Sequence, residues 1–303
     1  MKTIVVTGAT SGIGLAVCHE LAALEYGIIG VGRCEENCIK AAEQLSLKYP
    51  DLPIKFFCGN LLVQSEVIRV GNEIKDYIEE KCHGKLYSLI NNAGCVRSYY
   101  MTTEDGYEQQ FALNHLAGFL LTFILMPYLI NSCGRILITS SASHKMMKMH
   151  WKDIMFKHRY NPLLVYKQSK LANMLFAYGL NDRFADCGIS AYGIDPGLVR
   201  TDIGLKNTNG IVRLVWRLRQ RSGVSPEVPA KTYSFICNGT KPPKGLYYRF
   251  SNEEPYSMQV NKQNADRLWA LSEQLCGISF RKENFYGSID YRRFRRTWQS
   301  LCY

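Results

Sequence analysis

Thr3-Ile4-Val5-Val6-Thr7-Gly8-Ala9-Thr10-Ser11-Gly12-Ile13-Gly14 is the stretch on which the reading of this chain turns. Thr3 to Thr7 is an unbroken β-branched run of the kind that forms a buried strand, and an apolar-periodic helical pattern follows Gly14. A strand, a glycine turn and a helix in that order form a cradle for an anion. Gly8 permits the tight turn, Gly12 and Gly14 let the backbone approach a pyrophosphate, and the anion faces the helix N-terminus. Gly8, Thr10, Ser11, Gly12, Ile13 and Gly14 are therefore candidate cofactor-binding residues.

Working outward, strand-like runs at 3–7, 28–32, 54–58, 86–91, 135–140, 189–194 and 245–250 alternate with helical patterns at about 13–25, 35–48, 65–81, 106–130, 166–186, 226–238 and 258–276. This alternation predicts an α/β fold: a doubly wound, parallel, seven-stranded sheet with helices on both faces, joined by right-handed crossovers. Ligands then bind at the carboxyl edge of the sheet. The 303 residues, 47% hydrophobic, suit one domain with a well-buried core. Its boundaries read as 1–277, with a segment at about 201–225 placed as a lid and 278–303 as a basic aromatic extension. In the Ser225-Pro226-Glu227 run, an N-cap serine and an N1 proline open the next helix.

Eleven cysteines, odd in number and without a C-x-x-C pair, read as small apolar fillers rather than a metal site or a disulfide framework. The first strand begins at residue 3, which leaves no room for a signal peptide and leads us to expect a cytoplasmic protein. Phe111 to Ile130 is apolar enough to raise the question of a membrane span, but it carries Asn114, His115 and Pro127, so a sheet-covering helix is expected, with His115 packed or backbone-bonded. The net charge of +11 concentrates in two segments, Arg213, Arg217, Arg219 and Arg221, and then Arg281, Lys282, Arg292, Arg293, Arg295 and Arg296. These suit an acidic substrate, a peripheral membrane contact or plain solvated faces; no nucleic-acid motif accompanies them. If residues 211–221 form a helix, Trp216 lies on an apolar face able to close over a hydrophobic ligand.

Tyr166 and Lys170 lie four positions apart in a helical stretch, so their side chains share a face. A phenol titrates near ~10 in water, and an adjacent ammonium favours its phenolate, which makes the pair a proton-transfer device. Taken with the glycine turn, the ordered signatures Asn91-Asn92-Ala93-Gly94, Asn114, Ser140-Ser141, Tyr166-x-x-x-Lys170 and Asp195-Pro196-Gly197 resemble the short-chain dehydrogenase/reductase family, classical type, over roughly residues 1 to 275. The long Ser141–Tyr166 segment, the run from Tyr166 to Asn173 and the run from Asp266 to Glu273 are similar to the branch containing retinol dehydrogenases, WW-domain oxidoreductase and protochlorophyllide reductases, which handles large lipophilic alcohols and carbonyls.

The resemblance implies a Rossmann-type fold and a role for each matching residue. Tyr166 is the general acid/base, Ser141 polarises the carbonyl, and Ser140 is a strand-end backbone partner. Lys170 binds the nicotinamide ribose and acts on the tyrosine, and Asn114 holds a water against the lysine. Asn91 borders the adenine ribose, Ala93 and Gly94 allow close backbone approach, Pro196, Gly197 and Val199 turn toward the nicotinamide, and Thr201 bonds the carboxamide or a phosphate. Asn60, with Leu61 beside it, stands where the family usually has an aspartate facing the adenine; its carbonyl oxygen still accepts. At the end of the second strand, Arg33 replaces the carboxylate of an NAD site and favours NADP(H). The resemblance also implies a homodimer through the apolar helices at 106–130 and 166–186. The function expected is an NADP(H)-dependent interconversion of a carbonyl and an alcohol on a bulky lipophilic substrate, steroid- or retinoid-like. The alternative is a nucleotide-sensing interaction protein that binds a partner through its basic helix and tail.

Overall fold

A computed structural model describes residues 1–200 and 223–286. Thr201, the segment expected to act as a lid with Trp216 and its arginines, and the tail from 287 onward with its four arginines lie outside the described residues. The strands are β1 (Thr3–Thr7), β2 (Gly27–Gly32), β3 (Ile54–Cys58), β4 (Ser88–Asn91), β5 (Arg135–Thr139), β6 (Ser190–Asp195), β7 (Tyr247–Arg249) and β8 (Asn252–Glu253). They form one sheet in the order β3-β2-β1-β4-β5-β6-β7-β8. The first seven are parallel, as the alternation predicts; β8 is a two-residue antiparallel edge too short to register as periodicity, so the sheet has eight strands rather than seven. The order reverses between β1 and β4, so the loops after these strands diverge and open the crevice where a ligand sits.

Side chains alternate across the sheet. Ile4, Val6, Ile90, Leu137 and Ile194 meet the layer formed by α1 (Gly12–Ala22), α2 (Glu35–Lys48) and the helix Glu227–Asn238 (α7), while Val5, Leu89, Ile136 and Ile138 meet α3 (Gln64–Lys81), α5 (Ala117–Ile130) and α6 (Pro162–Phe184). The short helix α4 (Gln109–Phe111) runs through a π turn, Ala112–Leu116, into α5. The whole stretch Gln109–Ile130 is long and apolar enough to cross a membrane, yet 72% of its most apolar window is buried inside the fold. Two boundaries move for chemical reasons. α6 begins four residues before Tyr166, because the Asn161 side chain caps Leu163 N and Leu164 N, both at 3.1 Å, with Pro162 in the first turn. α7 starts after Pro226, and the Ser225 hydroxyl meets the Glu227 carboxylate instead of capping a backbone N–H. His115 is packed, the first of the two arrangements expected of it: it is buried among Phe111, Phe119 and Phe176, and its Nε2 bonds Ser272 Oγ at 2.8 Å.

The helix α8 (Lys262–Cys276) lies on α6, and the chain continues across it. The rings of Trp269 and Phe280 lie 4.8 Å apart, tilted at 44°, and join Phe119, Phe176 and Phe184 in one aromatic cluster, while Phe285 reaches Phe123 and Phe184. Phe280, three residues past the boundary drawn at 277, is 1% exposed within this cluster. On α5 and α6, Phe280 packs against Phe119 and Phe123, and Trp269 of α8 against Phe176. Among the described tail cations, Lys282 pairs with Asp186 at 2.5 Å. Replacing Phe280 by alanine removes a large side chain from a closed aromatic site and is expected to destabilise the protein by about 3–5 kcal/mol in urea unfolding; a change inside experimental error would place Phe280 outside the cooperative core.

Candidate active site

β1 delivers the glycine turn. Gly8 has φ +66, open to glycine at little cost, and a Cβ on Gly14 would lie 2.1 Å from Gly8 O. Thr7 Oγ1 accepts from the backbone N–H groups of Asn92 and Ala93, each at 3.0 Å, and Asn92 Nδ2 donates to Thr7 O at 3.0 Å. Strand alternation therefore sends Asn92 toward the crevice and Asn91 away from it. Asn91 Nδ2 donates to Thr122 Oγ1 of α5 at 3.0 Å, and it is Asn92 rather than Asn91 that is among the residues lining the cleft.

The crevice is a cavity of about 460 Å³ between the glycine turn and the loops after β2, β3 and β4. Gly8, Thr10, Ser11, Gly12 and Ile13 line one wall; Asn60, Leu61, Ala93 and Gly94 line others, and Arg33 stands at the end of β2. Asn60 Oδ1 accepts from Leu62 N at 3.4 Å in a local turn. Pro196, Gly197 and Val199 do not line this cavity. Pro196 is buried, Gly197 N donates to Asp195 Oδ1 at 2.9 Å, and Val199 bridges to Val224, so Arg200 and Pro226 form that wall.

Two lining arginines escape a motif search. Arg97, only 5% exposed, donates from Nε to Gln109 Oε1 at 2.6 Å and from Nη1 to Val96 O at 3.2 Å, and among the described residues no carboxylate lies within ion-pair distance of it. Arg200 is held by its Nε–H to Gly223 O at 2.6 Å. The available signal was proximity alone, since Arg97 follows Gly94 by three positions and Arg200 precedes Thr201. With Arg33 they place three arginines around one cavity whose described lining residues include no Asp or Glu.

The second half of the site gathers at the ends of β5 and α6. Lys170 Nζ is buried, donates to Thr139 O at 3.0 Å and lies 5.5 Å from the centre of the Tyr166 ring. Burial lowers the Lys170 pKa to about 8, with nearby Cys95 and Asp195 pulling the other way. Ser140 Oγ donates to Lys170 O at 2.9 Å, the backbone role expected of it, while Ser141 stands half-buried at the strand end with its Oγ accepting from Ser143 N at 3.3 Å. Asn114 sits in the π turn, a wider backbone than α that is often met at functional sites. Its side chain accepts from Cys95 N at 2.7 Å and donates to Cys95 O and Ser169 Oγ. Asn114 Oδ1 and Lys170 Nζ converge on Gly94, 3.1 and 3.9 Å from where a Cβ would stand, so glycine keeps the passage between the cavity and the lysine open.

A parallel doubly wound sheet, a glycine-cradled phosphate cleft at its switch point and a Tyr-Lys-Ser-Asn cluster beside it define a nicotinamide-dependent oxidoreductase. The family profile "short chain dehydrogenase" matches residues 2–210, and the chain belongs to the short-chain dehydrogenase/reductase family, NAD(P)-dependent enzymes acting on alcohol and carbonyl groups. Among similar proteins, retinol dehydrogenase 12 of Mus musculus is 31% identical over 285 residues, covering 92% of this chain and 87% of the relative. Retinol dehydrogenase 13 of Homo sapiens is 31% identical over 303 residues, covering 91% and 85%. Among solved structures, an uncharacterised protein from Mycobacterium paratuberculosis superposes with a TM-score of 0.71 at 27% identity, covering 92% of this chain and 95% of that one. Among the described residues no group of side chains could hold a metal ion, and no disulfide joins the cysteines.

A methyl at Gly14 would collide with the backbone at Gly8 and with Asn92 Nδ2, neither of which can yield without opening the turn. Gly14→Ala is therefore expected to weaken dinucleotide binding by more than ~10-fold in a fluorescence titration; unchanged affinity would mean that the turn does not hold the pyrophosphate.

Proposed function

We propose that this chain is an NADP(H)-dependent oxidoreductase that interconverts a carbonyl and an alcohol on a bulky lipophilic, retinoid-like compound. One observation carries the cofactor choice: Arg33, Arg97 and Arg200 line a cavity that has no acidic residue among its described lining residues. Three cations, Arg97 buried and Arg33 and Arg200 exposed, with no carboxylate among the described lining residues, leave a positive potential that the 2′-phosphate of NADP(H) offsets better than a plain ribose does. The substrate class is supported by the retinol dehydrogenase relatives and by the long, Met- and aromatic-containing segment before Tyr166.

When bound, the nicotinamide supplies or receives the hydride. The glycine turn would hold the pyrophosphate, Arg33 the 2′-phosphate, and Asn60 the adenine. On this reading Ser141 donates its hydroxyl proton in a hydrogen bond to the substrate carbonyl oxygen, an arrangement suited to it because Oγ already accepts from Ser143 N. Tyr166 gives its phenolic proton to that oxygen in reduction and takes it back in oxidation. Lys170, fixed by Thr139 O, binds ribose and favours the charged phenol, and Asn114 lines the route by which protons reach the lysine.

Exchanging Arg33 for aspartate puts a carboxylate against the 2′-phosphate and is expected to shift the NADPH/NADH ratio of kcat/KM toward NADH by more than ~10-fold; an unchanged ratio would assign phosphate reading to another group. With all-trans-retinal as probe, kcat/KM for NADPH should fall as pH rises through about 8, because deprotonation of Lys170 removes the charge that the mechanism needs. A flat profile across that range would show that the lysine's charge is not required.

A further inference from the structure

The residues that fix Ser141 lie outside the cluster described so far. The carbonyl of Ser141 accepts from His144 Nδ1 at 2.7 Å, and the next amide, Ala142 N, donates to Asp195 Oδ2 at 3.1 Å. One peptide unit is thus held at its oxygen by an imidazole and at its nitrogen by a carboxylate. Neither holder is free to turn. His144 is fully buried, packs edge-on against Tyr247 at 4.8 Å, and its Nε2 accepts from Ser257 N at 3.3 Å. Since Nε2 accepts, the ring proton resides on Nδ1, and burial keeps the ring neutral by lowering its pKa. Asp195, at the end of β6, accepts in addition from Tyr247 Oη at 2.9 Å and, through Oδ1, from Gly197 N at 2.9 Å.

We infer that His144 and Asp195 are positioning residues that clamp the Ser141–Ala142 peptide and so aim the Ser141 hydroxyl at the substrate carbonyl. The inference rests on the role proposed for Ser141. It explains how a buried carboxylate is kept at the end of β6, where among the described residues a half-exposed Arg249 at 3.9 Å is its one ion-pair partner: three donors converge on Asp195, from the 3-10 turn after Ser141, from β7 and from the Pro196-Gly197 turn. It also explains the neutral, tautomer-locked histidine. Ser257 belongs to the segment after β8, so the clamp ties the serine to the C-terminal part of the fold that the glycine-loop motifs do not reach.

The test is a mutant cycle on the full chain, with NADPH and all-trans-retinal. His144→Phe retains a ring against Tyr247 but loses both hydrogen bonds, whereas His144→Asn keeps an amide N–H near the Nδ1 position. The clamp predicts that His144→Phe lowers kcat by ~10- to 100-fold with NADPH affinity unchanged, that His144→Asn restores most of it, and that His144→Phe has no further effect on kcat in a Ser141→Ala background. Equal losses in the Asn and Phe variants, additive losses with Ser141→Ala, or an unchanged kcat would overturn it. If the parent protein reduces no retinal, the functional reading fails, and the clamp is decided separately by 15N NMR of histidine-labelled protein. A neutral His144 protonated at Nδ1, converted or broadened by Asp195→Asn, supports the clamp; a ring protonated at Nε2 contradicts it.

Discussion

Everything at the carboxyl edge of the sheet depends on where the ammonium group of Lys170 is held. It is a cation buried at the junction of β5 and α6, bonded to the last carbonyl of the strand and paired with no carboxylate within ion-pair distance among the described residues. Burying such a group is costly unless it is hydrogen-bonded, and the lowered pKa of about 8 expresses that cost. Thr139 O accepts from Asn173 as well, and Ser140 reaches the Lys170 carbonyl, so strand and helix are locked at the residue that must not move. Gly94 leaves the gap through which that ammonium faces the cofactor cleft.

The cleft continues the same electrostatic theme. Arg97 and Arg200 are held by carbonyl and amide oxygens, which orient a guanidinium without neutralising it. An anionic dinucleotide completes such a site, and the protein alone leaves it charged. Opposite this polar edge, α8 and the aromatics around Phe280 seal the other side of α6 with apolar contact, so α6 is buried between sheet and helix and carries almost no polar face.

Much of this was legible in the residues. The β-branched run before Gly8, the glycine spacing and the strand-helix alternation placed seven strands and the switch-point cleft, because buried parallel strands and glycine turns leave strong local signatures. Tyr166 and Lys170 came from helical spacing, since i and i+4 share a face whatever the tertiary context. What escaped was set by long-range packing. The inward turn of Asn92 rather than Asn91 depends on strand phase at β4, and the π turn that carries Asn114 has no spacing signature. Arg97 is a site residue only because the loop after β4 folds back over the cleft, and Phe280 belongs to the core only because α8 lies on α6. His144 and Asp195 are ordinary residues in one dimension, brought to a single peptide by the convergence of β5, β6 and β7.

The central claim is that Tyr166 moves the proton while the rest of the site binds and orients. Single-turnover reduction of all-trans-retinal by NADPH, followed at the cofactor's absorbance for the parent and for Tyr166→Phe, tests it most directly. The account predicts that loss of the one phenolic oxygen leaves NADPH affinity within about 2-fold and slows hydride transfer by ~10²- to 10⁴-fold. A Tyr166→Phe protein that keeps more than a few per cent of the parent rate, with NADPH bound as before, would contradict it.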